Sequence, residues 1–416
     1  MGFQQGLSGL SGAAKNLDVI GNNIANSTTV GFKSSVTQFA DVYATSLTGT
    51  GGLQIGIGSQ VAAVAQQFTQ GSTSITNNPL DVAINGEGFF RLNNNGAITY
   101  GRNGQFQLDK DGYVVNNSGL RVTGYGLDAS GNLAAATPAD IQIPFADIAP
   151  YYTHNASLVA NLDSQKTAMV ATAINPANAT TYHNSTSLTV YDEGGNDHGL
   201  VLYFQKTASN SWNVDGYVNG TQVDLNGAAA GSTMTMSFNS NGTINQINGV
   251  AAAAVSVTTP SAVLNTGAGA LTFNLDMTDF TQYGSNFGVN SITQDGFSSG
   301  RIAGLAIAND GIIQGRYTNG QSKTLAQVTL ANFVNPRGLQ SMGNNQWAET
   351  SESGQPTIGS PGSGTLGIVQ SGAVEDSNVD LTAELVNLIV AQRMYQANAQ
   401  TVRAQDQILQ TLINLR

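Results

Sequence analysis

The sequence predicts a mostly β protein that begins and ends in long amphipathic α-helices, with β-rich domains nested between them. Three observations carry this. Apolar residues recur at alternating spacings of four and three at both ends of the chain, the period of a helical seam. Between the ends, short apolar runs are separated by Asn-Gly and Asp-Gly pairs, whose positive φ closes two-residue hairpins. Charged residues are only 10% of the 416, and Gly numbers 49. Ordinary globular chains carry roughly 25% charge, so the surface is built from Asn, Ser, Thr and Gly, as suits strands and tight turns.

In chain order, Phe3, Leu7, Leu10, Ala14, Leu17, Gly21 and Ile24 place a helix over 3–25, which Asn22, Asn23, Asn26 and Gly31 bring to an end. The stretch to Gly71 is mixed: Gln38–Leu47 has a helical tendency, Gly49–Gly58 is irregular, and Val61–Phe68 alternates as a strand. From Gly71 the pattern is β, with runs at Leu80–Ile84, Phe89–Leu92, Ile98–Tyr100, Phe106–Leu108, Tyr113–Val115 and Arg121–Tyr125. Asn85-Gly86, Asn95-Gly96, Asn103-Gly104 and Asp111-Gly112 punctuate them as hairpin turns. Pro138, Pro144 and Pro150 mark a boundary.

Beyond it lies a second β region, with strands expected at Leu188–Tyr191, Leu200–Phe204, Trp212–Val218, Met234–Phe238 and Leu271–Leu275. Residues 284–347 return to the first pattern at Ile302–Ile307, Ile312–Tyr317 and Gln327–Phe333. Gly354–Gly372, rich in Gly, Ser and Pro, reads as a linker. The expected domains are 1–30 with 373–416 (terminal helices), 31–70 with 361–372 (connecting), 71–145 with 284–360 (first β domain), and 146–283 inserted as an outer β domain.

The terminal helix dominates the chain. Leu381, Leu385, Leu388, Gln392, Tyr395, Ala399, Val402, Asp406, Leu409 and Ile413 share one face, and eight of these ten are apolar. Neither Gly nor Pro interrupts 377–416. Ser377 or Asn378 is placed to cap the start, and Asp380 and Glu384 complement the dipole in the first turns. At about 1.5 Å per residue the helix is on the order of 50 Å long, and so broad an apolar surface needs a partner. Periodicity leaves two open: the protein's own body, or the same helices of other copies. The candidate seam is Leu7, Leu10, Leu17 and Ile24 with Leu381, Leu385, Leu388, Tyr395, Val402, Leu409 and Ile413. The polar positions Gln392 and Asp406 either fix register or face water.

A net charge of −11 argues against nucleic acid or anionic membrane as partners. The absence of Cys removes disulfides and thiolate metal sites. His154, His183 and His198 lack metal-ligand spacing. No apolar run reaches the roughly 20 residues of a membrane span, and the N-terminus lacks the pattern of a secretory signal. No cofactor or metal is expected. Composition alone reads as a soluble cytoplasmic protein, and low charge without Cys hints at an exported one.

Three stretches carry a resemblance: Asn22-Asn23-Ile24-Ala25-Asn26-Ser27-Thr28-Thr29-Val30-Gly31-Phe32-Lys33, Asn78-Pro79-Leu80-Asp81-Val82 through Phe90, and Ser377-Asn378-Val379-Asp380-Leu381 through Arg416. They resemble the bacterial flagellar axial proteins, which build rod, hook and hook junction. Lys33-Ser34-Ser35-Val36, Phe39-Ala40-Asp41 and Asn332-Phe333-Val334-Asn335-Pro336-Arg337 look like the hook branch, with a distal rod subunit as the alternative. The resemblance covers roughly the first 125 and last 130 residues. It implies a non-enzymatic subunit, exported unfolded by the flagellar type III apparatus without a cleaved signal. Such a subunit polymerises with itself under a cap protein into a short curved tube between rod and filament, meeting rod and hook–filament junction proteins. It acts outside the cell as a universal joint, with the terminal helices as an inner coiled-coil layer.

Three chemical motifs compete with this. Gly296-Phe297-Ser298-Ser299-Gly300 fits a nucleophile elbow but lacks the strand-before, helix-after context. Gly362–Gly367 fits G-x-G-x-x-G, yet no strand–turn–helix unit surrounds it. Asp109-Lys110-Asp111-Gly112 resembles part of an EF-hand loop without its bidentate Glu, so a hairpin turn explains it better. Two other classes remain: a secreted hydrolase using carboxylates such as Asp192 and Glu193, and a monomeric adhesin on a helical stalk.

Overall fold

The computed structural model describes residues 2–42, 56, 58–128, 131–134, 137–225 and 233–414. Helix α1 spans Gly2–Ala25, a short α2 spans Ser261–Leu264, and α3 spans Leu381–Asn414. Strands account for most of the remainder. The chain forms two compact units: one contains 1–145, 303–316 and 322–416, and the other contains 146–302 and 317–321.

In the first unit, strand β1 (Ser35–Val42) pairs antiparallel with β2 (Gly58–Gln66). The helical tendency read over Gln38–Leu47 is therefore corrected as far as Val42. Branched residues at Val36, Thr37 and Val42 favour an extended chain, and β2 satisfies its backbone; residues 43–47 lie outside the described part. The main sheet runs in the order Ile302–Ile307, Ile312–Tyr317, Ser322–Val328, Arg121–Tyr125, Phe89–Asn94, Ala97–Gly101, Gln346–Ala348, Gln340–Gly343. Strands from before and after the insertion thus interleave. Phe89, Tyr100, Phe333, Leu339 and Trp347 form a core, closed by Phe68. Edge-on ring pairs such as Phe68–Trp347 at 5.4 Å pack it.

Asn95-Gly96 closes the hairpin between Phe89–Asn94 and Ala97–Gly101, with φ of 50° and 101°. Asn85-Gly86 and Asn103-Gly104 close no hairpin. Val82–Asn85 pairs instead with Ile368–Ser371, and a Cβ at Gly104 would fall within 1.7 Å of the Val82 carbonyl oxygen. That Gly serves close approach between chain segments. The stretch read as a linker is also corrected: Thr357–Gly359 pairs with Leu330–Asn332, and Ile368–Ser371 is the partner just named. Buried Leu366 and Val369 anchor it despite the Gly and Ser around them. The G-x-G-x-x-G segment is a tight loop between these strands, closed by the Gly362 N–H on the Gly367 carbonyl.

The second unit has two sheets around one core. One sheet runs Val255–Thr259, Leu271–Asp276, Asn155–Asp163, Thr281–Tyr283, with Gly288–Gln294 antiparallel to Asn155–Asp163. The other runs Asn184–Tyr191, Asp197–Ala208, Ser211–Val218, Met234–Phe238, Ile244–Ile247, Val250–Ala251. Leu158, Leu202, Phe204, Trp212, Val214 and Phe273 lie in the shared core. Gly288–Gln294, grouped from its turns with the first β domain, pairs here instead, and the chain up to 302 belongs to this unit. The Asn226-Gly227 turn and the Ala228–Ala230 patch fall outside the described residues.

Candidate assembly surface and its buried anchor

Helices α1 and α3 pack antiparallel. A Cβ on Gly6 would sit 2.9 Å from Val402, one on Gly9 would sit 2.8 Å from Asn398, and Asn23 Nδ2 donates to Glu384 Oε1 at 2.9 Å. Small residues on α1 thus bring the two helices close. The less exposed positions of α3 are Glu384, Leu388, Ala391, Asn398, Ala399, Val402 and Gln405. They lie on the α1 side, offset from the apolar seam and partly polar.

The sequence-derived seam therefore divides. Leu10, Leu17, Ile24, Leu388 and Val402 are half-buried. Leu7, Leu381, Leu385, Tyr395, Leu409 and Ile413 are exposed, at 37% to 73%. Val386, Ile389, Val390, Met394 and Ile408 join them. Because Gly6 meets Val402 and α1 starts at Gly2, the last two turns of α3 run past the end of α1. Gln392 and Asp406 face outward. An open groove of about 420 Å³, lined by Ala13, Phe39, Ala391 and Met394 among others, lies between α1, α3 and the β1–β2 hairpin.

A buried ionic cluster lies within the first unit, between the segment that follows α1 and the one that precedes α3. Glu375 Oε1 accepts from Lys33 Nζ at 2.7 Å and from the Gly71 N–H at 2.9 Å. Its Oε2 accepts from Arg102 Nη1 at 3.1 Å. Lys33 also donates to the Thr69 carbonyl at 2.7 Å, and Arg102 to the Gly86 carbonyl at 3.0 Å. The Lys33 and Glu375 side chains are 0% exposed. Burial pushes the Lys33 ammonium below its ordinary range, and the Glu375 carboxylate opposes that shift. Gly31, at φ +71°, turns the chain into this cluster, where a Cβ would lie 2.7 Å from the Asn103 nitrogen.

Asn residues finish the junction. Asn23 bonds both the N–H and the carbonyl of Ser35. Asn378 accepts from the Ser34 N–H at 2.7 Å and donates to Gln67 and Thr69. It is therefore not the helix cap. Asp380 is, accepting from the Thr382 and Ala383 N–H groups at 2.9 and 3.1 Å. The cluster of Lys33, Arg102 and Glu375 was missed from the sequence. Its one signal was Lys33, a rare charge set between Phe32 and a Ser pair.

The chemical alternatives find no geometry to support them. Asp192 is a buried turn residue that accepts from the Asn196 N–H, Thr266 Oγ1 and His198 Nε2, while Glu193 is exposed. Phe297 and Gly300 of the elbow-like motif form isolated bridges to Tyr151 and Ile148. Asp109–Gly112 is the Phe106–Leu108 to Val114–Asn116 hairpin turn, in which Asp109 Oδ1 accepts from Asp111 and Tyr113. Among the described residues no group of three His, Asp or Glu is placed to hold a metal, and no helix is long and apolar enough to cross a membrane.

Comparison with known proteins fits this arrangement. The chain is 44% identical to the flagellar hook protein FlgE of Escherichia coli K12 over 427 aligned residues, covering 100% of both. It belongs to the flagellar hook protein family. Hook proteins of Salmonella typhimurium (44%) and Borreliella burgdorferi (33%) are similar over 99% or more of this chain and 98% or more of theirs. Residues 3–33 match the family described as flagella basal body rod protein, and 370–415 the flagellar basal body rod FlgEFG protein C-terminal family. Residues 83–194 match the flagellar hook protein FlgE/F/G D1 domain, and 161–297 the flagellar basal body protein FlaE D2 domain. A crystal structure of a Helicobacter pylori flagellar hook protein shares the fold at a TM-score of 0.50 and 13% identity, covering 71% of this chain and 99% of that one.

Proposed function

We propose that this hook-family subunit polymerises through its terminal helices into a short curved tube that joins rod to filament and passes torque as a flexible joint. The observation that carries this is the apolar stripe of α3 left open after α1 has packed, continuing onto an overhang where Leu409 and Ile413 are 51% and 73% exposed. A stripe of that length is stable in water only when covered, and identical copies offer the complementary helices. In this reading the helices form an inner coiled-coil layer, and the seam is Leu7, Leu10, Leu17, Ile24, Leu381, Leu385, Leu388, Tyr395, Val402, Leu409 and Ile413. In the same reading the β domains of the sequence scheme, with 284–302 grouped with the insertion, are the outer part of the subunit. Its partners are its own copies, the rod and junction proteins, the hook cap and the export apparatus, and it works outside the cell. The role is structural, with no catalytic step.

Electron microscopy of the purified, polymerised protein tests this. Curved tubes are expected. Straight tubes support a distal rod subunit, the second reading that the rod-family matches at 3–33 and 370–415 favour. Persistent monomers under conditions that polymerise related hook proteins would overturn both.

A further inference from the structure

Eight Asn-Gly pairs occur in the chain, and all but Asn226-Gly227 lie in the described residues. Such a pair is chemically labile, because the unhindered Gly nitrogen can reach the Asn side-chain carbon. Whether it reacts in a folded protein depends on the freedom of the Asn amide. Six of the described amides are tied down. Asn85 Oδ1 accepts from Gln70, and Asn103 Oδ1 from the Gln105 N–H. Asn219 donates to the Val263 carbonyl, and Asn241 accepts twice from Thr243. Asn248 accepts from the Thr235 N–H, and Asn319 bonds both Ser298 and Gln321.

Asn95 differs. It is exposed at the apex of the Phe89–Asn94 to Ala97–Gly101 hairpin, and its side chain makes no hydrogen bond among the described residues. Nothing lies within 4 Å of where a Gly96 Cβ would be. The Gly96 N–H donates to Asn93 Oδ1 at 2.7 Å, and Asn93 is itself held to Asp140 at 2.6 Å. The amide under attack is thus free to rotate, while the Gly96 N–H must leave Asn93 before its nitrogen attacks.

We propose that Asn95-Gly96 is the leading deamidation site among the seven Asn-Gly pairs of the described residues. The Gly96 nitrogen forms a bond to Asn95 Cγ as the Cγ–Nδ2 bond breaks. The proton on the Gly96 nitrogen passes to solvent, and Nδ2 takes up a proton and leaves as ammonia. Water then opens the resulting succinimide at either carbonyl, giving aspartate or isoaspartate, with no change in oxidation state. Either product adds one negative charge per subunit at this hairpin. Isoaspartate also inserts a methylene into the backbone, beside the closing Asn94–Ala97 pair.

The experiment incubates the full-length folded protein in mildly alkaline buffer and follows deamidation of each Asn-Gly peptide by mass spectrometry, with a parallel sample in urea. The Asn95 peptide should convert several-fold faster than the six tied pairs in the folded protein, and the seven rates should converge in urea. Asn95→Gly, which keeps a residue suited to the left-handed turn, should abolish that signal without changing the melting temperature. Faster conversion at any of the six tied pairs, or an intact Asn95 in folded protein while the urea sample converts, would overturn the proposal.

Discussion

At the residue scale, the Lys33–Glu375–Arg102 cluster is the most demanding feature of the first unit, because two cations share one carboxylate out of water. Removing one partner of a buried pair costs roughly 3–5 kcal/mol, since a charge is left uncompensated. Charge counting then orders the variants. Glu375→Gln leaves two buried cations facing a neutral amide, whereas Lys33→Met leaves one cation with one anion. Urea unfolding should therefore show Glu375→Gln losing the larger amount, and equal losses would mean that the cluster is not acting through charge. In the second unit, burial opposes ionisation of Asp192, but hydrogen bonds from Thr266, Asn196 and His198 outweigh it and hold the carboxyl well below the usual range. Burial likewise opposes ionisation of Asp295, and the Asn155 and His154 N–H groups outweigh it and lower its carboxyl. A depressed carboxylate contributes stability above its unfolded pKa of about 4, and that contribution is lost as pH falls through the folded value. Below about pH 4 the second unit should thus lose the stability that Asp192 and Asp295 contribute, and Asp192→Asn should flatten that part of the loss in a melting-temperature profile against pH. The pairing of Lys33 with Glu375 was not legible in the sequence, because burial and long-range pairing leave no local pattern: the two residues are 342 positions apart.

At the element scale, what was legible follows from how strongly local rules constrain each segment. Arg121–Tyr125, Phe106–Leu108, Met234–Phe238, Ile302–Ile307 and Ile312–Tyr317 match the expected strands residue for residue. Short apolar runs fenced by turns have few alternatives. Asn155–Asp163 was missed although it lies at the heart of a sheet. Its buried apolar positions alternate as Ala156, Leu158, Ala160 and Leu162, and Ala weakens the contrast that periodicity detects. Gly288–Gln294 was missed because most of it is exposed. Helix α3 was read within a few residues, but the side it gives to α1 was not, since Glu384, Ala391 and Asn398 carry no apolar signal. Its anchoring predicts a gradient. Near the Asn23–Glu384 bond and buried Ala391 the helix is held by the rest of the unit, while beyond Gln405 it lacks α1. Isolated helical turns are marginal in water, so hydrogen exchange on dilute protein should be slow around Glu384–Ala391 and fast from Asp406 to Asn414. Uniform protection along α3 would contradict this account.

At the scale of the whole molecule, the question is whether the open stripe of α3 is the surface through which copies join. Leu385 tests it better than Leu388, because Leu388 is half-buried within the chain and its loss would weaken the subunit itself. Leu385 is 44% exposed, so about half of its burial remains to be gained on assembly. Fully burying a Leu is worth roughly 1.5–3 kcal/mol, which leaves about 1 kcal/mol, and a cavity term adds to that where neighbours cannot collapse. Leu385→Ala should therefore raise the concentration needed for polymerisation by about 5–30-fold, the factor that one or two kcal/mol represents. Leu385→Glu should prevent assembly, because burying an unpaired carboxylate costs far more. Both changes should lower the melting of the dilute subunit less than the same changes at Leu388, since the Leu385 side chain is already 44% exposed there. Asn23→Ala supplies the opposite signature: it removes the bonds to Ser35 and Glu384, and should lower subunit stability before it touches the polymer. Sedimentation of polymer and thermal melting of dilute protein separate the two cases. If Leu385→Glu still forms tubes at the normal concentration, the exposed stripe of α3 is not the joint between copies, and the tube must be held through the β units instead.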